Sequence, residues 1–186
     1  LREGLFCRLP SGEVVRGPVW PGLAAFPDFT DPKARAWWGE KLKGFLEMGV
    51  AGLWLDMNEP ALFAAWGEPT LPASARHALE GQGGDHRLAH NLYGLLMARA
   101  SWEGFRKHAP ERRPFLLTRS GHAGVQRYAW AWTGDVESTW EGLRTTLRAL
   151  LGLSLSGVYF VGSDIGGFSG NPSPELYLRW FQMAAL

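Results

Sequence analysis

The chain has 186 residues, of which 46% are hydrophobic and 20% charged, and a net charge of +1. This balance describes a globular chain rather than a disordered one, and it implies no attraction to nucleic acid or to a membrane surface. The single cysteine, Cys7, excludes an internal disulfide and a cysteine-rich zinc site. No apolar run reaches the roughly 18 residues of a membrane span, and nothing resembles a signal peptide. These features suit a cytoplasmic protein. Ten tryptophans are the unusual component. Indoles bury well, and they also pack against the apolar faces of sugars and bases.

Taken in order, residues 1–31 show no clear periodicity. Gly17-Pro18-Val19-Trp20-Pro21-Gly22 and Phe26-Pro27-Asp28-Phe29 read as irregular loop, because proline fixes φ and glycine permits positive φ. Asp31-Pro32 has the form of a helix start, with an acidic cap and proline at the first helical position. That helix is expected to run to about Met48, with Trp37, Trp38, Leu42, Phe45 and Leu46 on its apolar face and Gly49 as its stop. A strand over 50–55 follows, ending in Asp56-Met57-Asn58-Glu59-Pro60. Residues 60–84 read as a long loop rich in proline and glycine. Residues 86–108 read as a helix with Leu88, Leu92, Leu95, Leu96 and Phe105 on one side. His86 and His90 stand at i and i+4, a spacing that could hold a metal. No third ligand is apparent nearby, so structural hydrogen bonding is the preferred reading and no metal site is assigned.

Phe115–Thr118 is a short apolar strand before Arg119, and Tyr128–Trp132 is another before Thr133-Gly134-Asp135. A helix is expected from Glu137 to about Leu155. A strand over Gly157–Val161 leads to Gly162-Ser163-Asp164, and Pro174 opens a last helix that runs to the chain end. Four apolar strands thus lead to a charged residue: Asp56, Arg119, Asp135 and Asp164. Helical or short crossovers make such strands parallel, with their carboxyl ends on one side. In a β/α barrel chemistry sits on that rim. Four strands do not close a barrel of eight, and a whole barrel typically needs about 250 residues. The chain is therefore part of something larger, or has a partner, or forms a small open sheet.

Two carboxylates at nearby strand ends suit glycosyl transfer, one attacking the anomeric carbon and the other protonating the leaving oxygen. Arg119 could clamp sugar hydroxyls, or form an ion pair with Asp164 or Asp135. Three acidic strand ends could instead ligate Mg²⁺, although tryptophan walls fit a sugar better. Gly162–Gly167 is a weak phosphate loop, whose aspartate would repel phosphate.

Several stretches resemble glycoside hydrolase family 31, the retaining α-glucosidase family. Trp54-Leu55-Asp56-Met57-Asn58-Glu59 looks like its nucleophile motif. Leu117-Thr118-Arg119-Ser120, Ala123–Tyr128 and Trp132-Thr133-Gly134-Asp135 look like its acid/base region. Gly162–Phe168 is similar to its later pocket motif. Val19-Trp20-Pro21-Gly22, Phe26-Pro27-Asp28-Phe29 and His90-Asn91-Leu92-Tyr93-Gly94 also fit, in the right order. The resemblance implies a partial (β/α)8 TIM barrel over 1–186, roughly strands four to seven with their helices. It implies Asp56 as nucleophile and Asp135 as acid/base, with no cofactor. It implies that Arg119, Trp20, Trp54, Met57, Phe63, Trp132, Asp164 and Phe168 bind an α-glucoside oligosaccharide. The family usually has asparagine after the acid/base aspartate, where this chain has Val136. The expected chemistry is double displacement through a glucosyl-aspartate ester. Alternatives within the resemblance are an α-glucosyltransferase or another α-glycosidase. A different class is a non-catalytic sugar-binding remnant. The isolated chain is expected to turn over weakly or not at all, and its exposed barrel edges could drive self-association.

Overall fold

The structure, a computed structural model, describes residues 4–63 and 69–185. Two compact units divide the chain, the first ending at Ala129 and the second beginning at Trp130.

The first unit opens on a hairpin, β1 (Arg16–Val19) and β2 (Gly22–Ala25), paired antiparallel with Val19 opposite Gly22. The stretch read as irregular therefore contains a hairpin turned by Trp20-Pro21. Its prolines and glycines mask the strand signal, yet they suit a short exposed ribbon with a two-residue turn. The same N-terminal stretch also supplies core. Cys7, Val15, Phe26 and Phe29 pack with Leu62, Leu71, Ala75, Tyr93 and Ala100 in one buried cluster.

Helix α1 (Pro32–Glu47) starts as expected, with the Asp31 side chain accepting from Lys33 N–H at 2.8 Å. Its buried side carries Ala34, Arg35, Gly39, Leu42 and Leu46, whereas Phe45 is exposed. Gly49 turns the chain at φ 93°. Strand β3 (Gly52–Leu55) follows. The loop expected over 60–84 holds a small ribbon, β4 (Arg76–His77) paired antiparallel with β5 (Gly84–Asp85). Part of that loop, residues 64–68, lies outside the described residues.

Helix α2 (His86–His108) buries Ala89, Tyr93, Gly94, Ala98, Ala100 and Phe105, while Leu88 faces water. The leucines set the expected stripe, but close helix packing selects the small residues. Gly39 of α1 and Gly104 of α2 meet so closely that a Cβ on Gly104 would lie 2.7 Å from Gly39 Cα. Strand β6 (Phe115–Thr118) then pairs in parallel with β3, Leu55 opposite Thr118.

In the second unit β7 (Trp130–Trp132) pairs in parallel with β8 (Val161–Gly162). The strand expected at 157–161 is thus shorter and begins later. Between them α3 (Trp140–Leu155) starts three residues beyond its expected position, capped by Thr139 Oγ1 on Gly142 N–H at 2.9 Å. Helix α4 (Pro174–Ala184) buries Leu176 and Trp180, and Ser173 caps it.

Candidate active site

Asp56 follows the last residue of β3, and Arg119 the last residue of β6. The parallel ladder continues past both strands, with Arg119 N–H donating to Leu55 C=O at 3.1 Å. This register places the two side chains together. Arg119 Nη1 stands 3.1 Å from Asp56 Oδ1. That buried oxygen accepts no aligned hydrogen bond, so the contact is an ion pair.

Two residues that sequence reasoning left without a role hold this corner. Asn58 is 2% exposed. Its Nδ2 donates to Thr118 Oγ1 at 2.7 Å, and its Oδ1 accepts from Ser120 N–H at 3.0 Å. Thr118 Oγ1 in turn donates to Ser120 C=O at 2.7 Å. The ends of β3 and β6 are thus tied by side chains as well as by backbone. Glu59 grips Arg119 with both oxygens, accepting from Nε at 2.8 Å and Nη2 at 2.9 Å. Both residues stand inside the quoted motif, but nothing in their spacing tells which side chain turns toward Arg119. Met57, between Asp56 and Asn58, adopts φ 53°, a region L-residues rarely visit.

Asp56 and Met57 line a cleft of about 330 Å³ together with Trp20, Phe29, Trp38 and Tyr93. This volume is within the usual range of small-molecule sites. Trp20, 79% exposed, stands at the hairpin turn and meets Phe63 edge-on at 4.9 Å between ring centroids. Phe63 thereby backs Trp20 and is not itself one of the residues lining the cleft. Trp54 is 59% exposed on β3, also outside that lining.

In the second unit the loops after β7 and β8 are zipped together. Phe168 N–H donates to Val136 C=O at 2.7 Å, and Ser138 N–H to Ser169 C=O at 2.8 Å. Gly167, at φ 90°, runs so close to Ser138 that a Cβ there would approach its backbone to 2.7 Å. Val136, the departure from the family pattern, thus serves through its carbonyl. This arrangement brings Asp135 near Asp164. Burial raises the Asp164 pKa, a hydrogen bond from buried Trp132 opposes the shift, and the Asp135 charge adds to it. Trp180 Nε1 donates to Ser163 Oγ at 3.0 Å and anchors the same loop. Phe168 is exposed.

The histidines expected at i and i+4 do not share a ligand position. His86 Nδ1 lies 3.0 Å from His77 Nε2, and His90 Nδ1 lies 3.0 Å from Asn91 Oδ1. His77 Nδ1 in turn reaches Asp28 Oδ1 at 3.0 Å, and Thr70 Oγ1 closes the chain on His86 Nε2 at 3.3 Å. Burial pushes the Asp28 carboxyl up, but hydrogen bonds from His77, Thr30 and the Ala78 N–H outweigh it and leave the pKa lowered. Burial, with His77 and His90 nearby, lowers the His86 pKa to about 4. Cys7, Asp28 and His77 cluster closely enough to share a cation. Both Asp28 oxygens, however, already accept donors from Thr30, His77 and Ala78.

A parallel strand pair linked by a helix, with ionisable groups at the strands' carboxyl ends, is the repeating unit of α/β folds, the β/α barrel among them, where chemistry sits on that rim. The family model of the glycosyl hydrolases family 31 TIM-barrel domain matches residues 1–186, and the chain belongs to that family. It is 46% identical over 185 residues to "Alpha-glucosidase 2" of Bacillus thermoamyloliquefaciens, covering 100% of this chain and 23% of that protein. It is 40% identical to the "Alpha-glucosidase" of Saccharolobus solfataricus, covering 97% of this chain and 29% of that one. The crystal structure of a family 31 alpha-glucosidase from Bacteroides thetaiotaomicron superposes with a TM-score of 0.82 at 42% identity, over 100% of this chain and 29% of that one. The chain thus spans about a quarter of the length of these relatives.

Proposed function

We propose that the protein carrying this domain is a retaining α-glucosidase acting on terminal α-glucosidic bonds of oligosaccharides. The observation that carries the reading is an Arg119-paired Asp56 at the end of a parallel strand, lining an aromatic cleft in a family 31 chain. The alpha-glucosidase names of its relatives support the substrate class. In the first step an Asp56 oxygen bonds the anomeric carbon as the glycosidic bond breaks, and the leaving oxygen takes a proton from Asp135. In the second step water loses a proton to Asp135 and attacks the same carbon, and the ester bond to Asp56 breaks. Two inversions retain the α configuration. Trp20 and Met57 face the sugar from the cleft, and Arg119 pairs with Asp56 and orients it.

The test is hydrolysis of p-nitrophenyl α-glucoside by the full-length protein, beside Asp56→Ala. Loss of turnover by at least about 10⁴-fold in the variant is expected, because a covalent step cannot proceed without its nucleophile. Proton NMR of the first-formed sugar is expected to show α-glucose. A β-first product, or an active Asp56→Ala variant, would overturn the reading. The isolated 186-residue chain is expected to show far less turnover than the full protein, because remote contacts with substrate contribute to lowering the barrier.

A further inference from the structure

A second hollow, of about 380 Å³, opens beside the cleft and is lined by Glu59, Ala61, Pro69, Thr70, His90 and Arg119. Ala61 lines both, and Asp56 of the cleft meets Arg119 of the hollow at 3.1 Å, so one begins where the other ends. A carboxylate, a hydroxyl, an imidazole and a guanidinium converge here beside the apolar faces of Ala61 and Pro69. Glu59 and Arg119 are bonded to each other at 2.8 Å and 2.9 Å, so their charges offset. Such a lining suits an uncharged ring bearing hydroxyls better than an ion.

The walls are set in advance. Thr70 ends a hydrogen-bonded chain that runs through His86 and His77 to the Asp28 carboxylate, at 3.3 Å, 3.0 Å and 3.0 Å. His90 packs edge-on against His86, with 5.2 Å between ring centroids. Its Nδ1 lies 3.0 Å from Asn91 Oδ1, which can only accept, so Nδ1 carries the hydrogen. The neutral ring then presents Nε2 as an acceptor, and no described residue donates to it. A buried wall that ends in a fixed acceptor is matched by a ligand hydroxyl. We propose that this hollow seats the second sugar of the substrate, with His90 Nε2 accepting a hydrogen bond from one of its hydroxyls. This rests on the α-glucosidase reading above: an enzyme that removes terminal glucose has every further sugar of its substrate on the leaving side of the cleft.

The experiment compares the full-length wild-type protein with His90→Leu and His90→Gln on two substrates. One is the better cleaved of maltose and isomaltose; the other is α-glucosyl fluoride, which carries no second sugar and so reads any damage to the cleft itself. For His90→Leu, the ratio of kcat/KM on the disaccharide to that on the fluoride is expected to fall about 10-fold, the size of one lost hydrogen bond, and mostly through KM. His90→Gln returns an acceptor at similar reach and is expected to recover most of the ratio. An unchanged ratio in His90→Leu, or a ratio in His90→Gln as low as in His90→Leu, would overturn the proposal. If His90→Leu does not fold, a crystal structure of the Asp56→Ala protein with the disaccharide decides. Its second glucose is expected in the hollow, within hydrogen-bond distance of His90 Nε2, and a second glucose elsewhere overturns the proposal. A wild type inactive on both substrates would instead sink the α-glucosidase reading, and the proposal with it.

Discussion

Asn58 shows how one buried amide can hold two strand ends in register. It donates to Thr118 and accepts from Ser120, so both halves of the amide are used. Asn58→Ala would leave the Ser120 N–H without its side-chain acceptor and the buried Thr118 hydroxyl without its donor, at a cost of about 1–3 kcal/mol. A lower urea midpoint with an unchanged slope is the expected result, accompanied by reduced turnover as Asp56 loses its anchor. His86 makes a second residue-scale prediction. Its folded pKa of about 4 lies below the ordinary histidine value of 6.5, so the fold binds fewer protons than the unfolded chain between these limits. The stabilisation is complete above pH 6.5 and is lost as pH falls toward 4. Asp28, lowered as a carboxylate, adds a further loss in more acidic solution. The thermal midpoint of the wild type is expected to drop through that window, and His86→Gln to flatten the drop. A midpoint independent of pH between 6.5 and 4 would contradict the assignment of a buried neutral His86.

At the scale of elements, two glycines in helices have opposite expectations. Gly94 in α2 faces the β3 and β6 ends, where a Cβ would lie 2.6 Å from Ser120 O and 3.0 Å from Asn58 O. Both contacts are backbone, so the helix itself must shift. Gly94→Ala is expected to destabilise by about 1–3 kcal/mol and to reduce turnover by displacing Asn58. Gly44 in α1 has nothing within 4 Å of its Cβ position. Gly44→Ala is expected to stabilise by about 0.5–1 kcal/mol, since alanine loses less backbone entropy in a helix. Paired denaturation curves check both signs. The starts of α1, α2 and α4 were readable because capping is local: Asp31, Asp85 and Ser173 each bond an N–H two or three residues on, whereas α3 begins at the Thr139 cap, three residues past its expected start. The buried face of α2 was not readable, because it is chosen by the closeness of α1 rather than by the hydrophobicity of its own residues.

For the whole molecule, the relevant fact is that the chain is about a quarter of its relatives' length. The second unit exposes Leu147, Leu151 and Leu155 on α3, and Tyr177, Leu178 and Phe181 on α4. Apolar surface of this extent favours association. Light scattering on the isolated 186-residue chain is expected to show a mass that rises with concentration, and a strictly monomeric chain would count against it. No described helix is long and apolar enough to cross a membrane.

By itself the sequence determined the starts of α1, α2 and α4, the α/β character, the motif order that marks family 31, and the placing of Asp56 and Arg119 at strand ends. All of these are written within a few residues of one another, where caps, apolar runs and motif spacing act. Tertiary structure alone decided that Glu59 forks Arg119, that Asn58 ties β3 to β6, and that Asp28, His77 and His86 form one buried chain. It also decided that the irregular N-terminus is core. The hydrogen bonds among them join residues 9 to 62 positions apart. Partners so far apart are chosen by chain packing and by donors meeting acceptors, and neither leaves a period in the sequence.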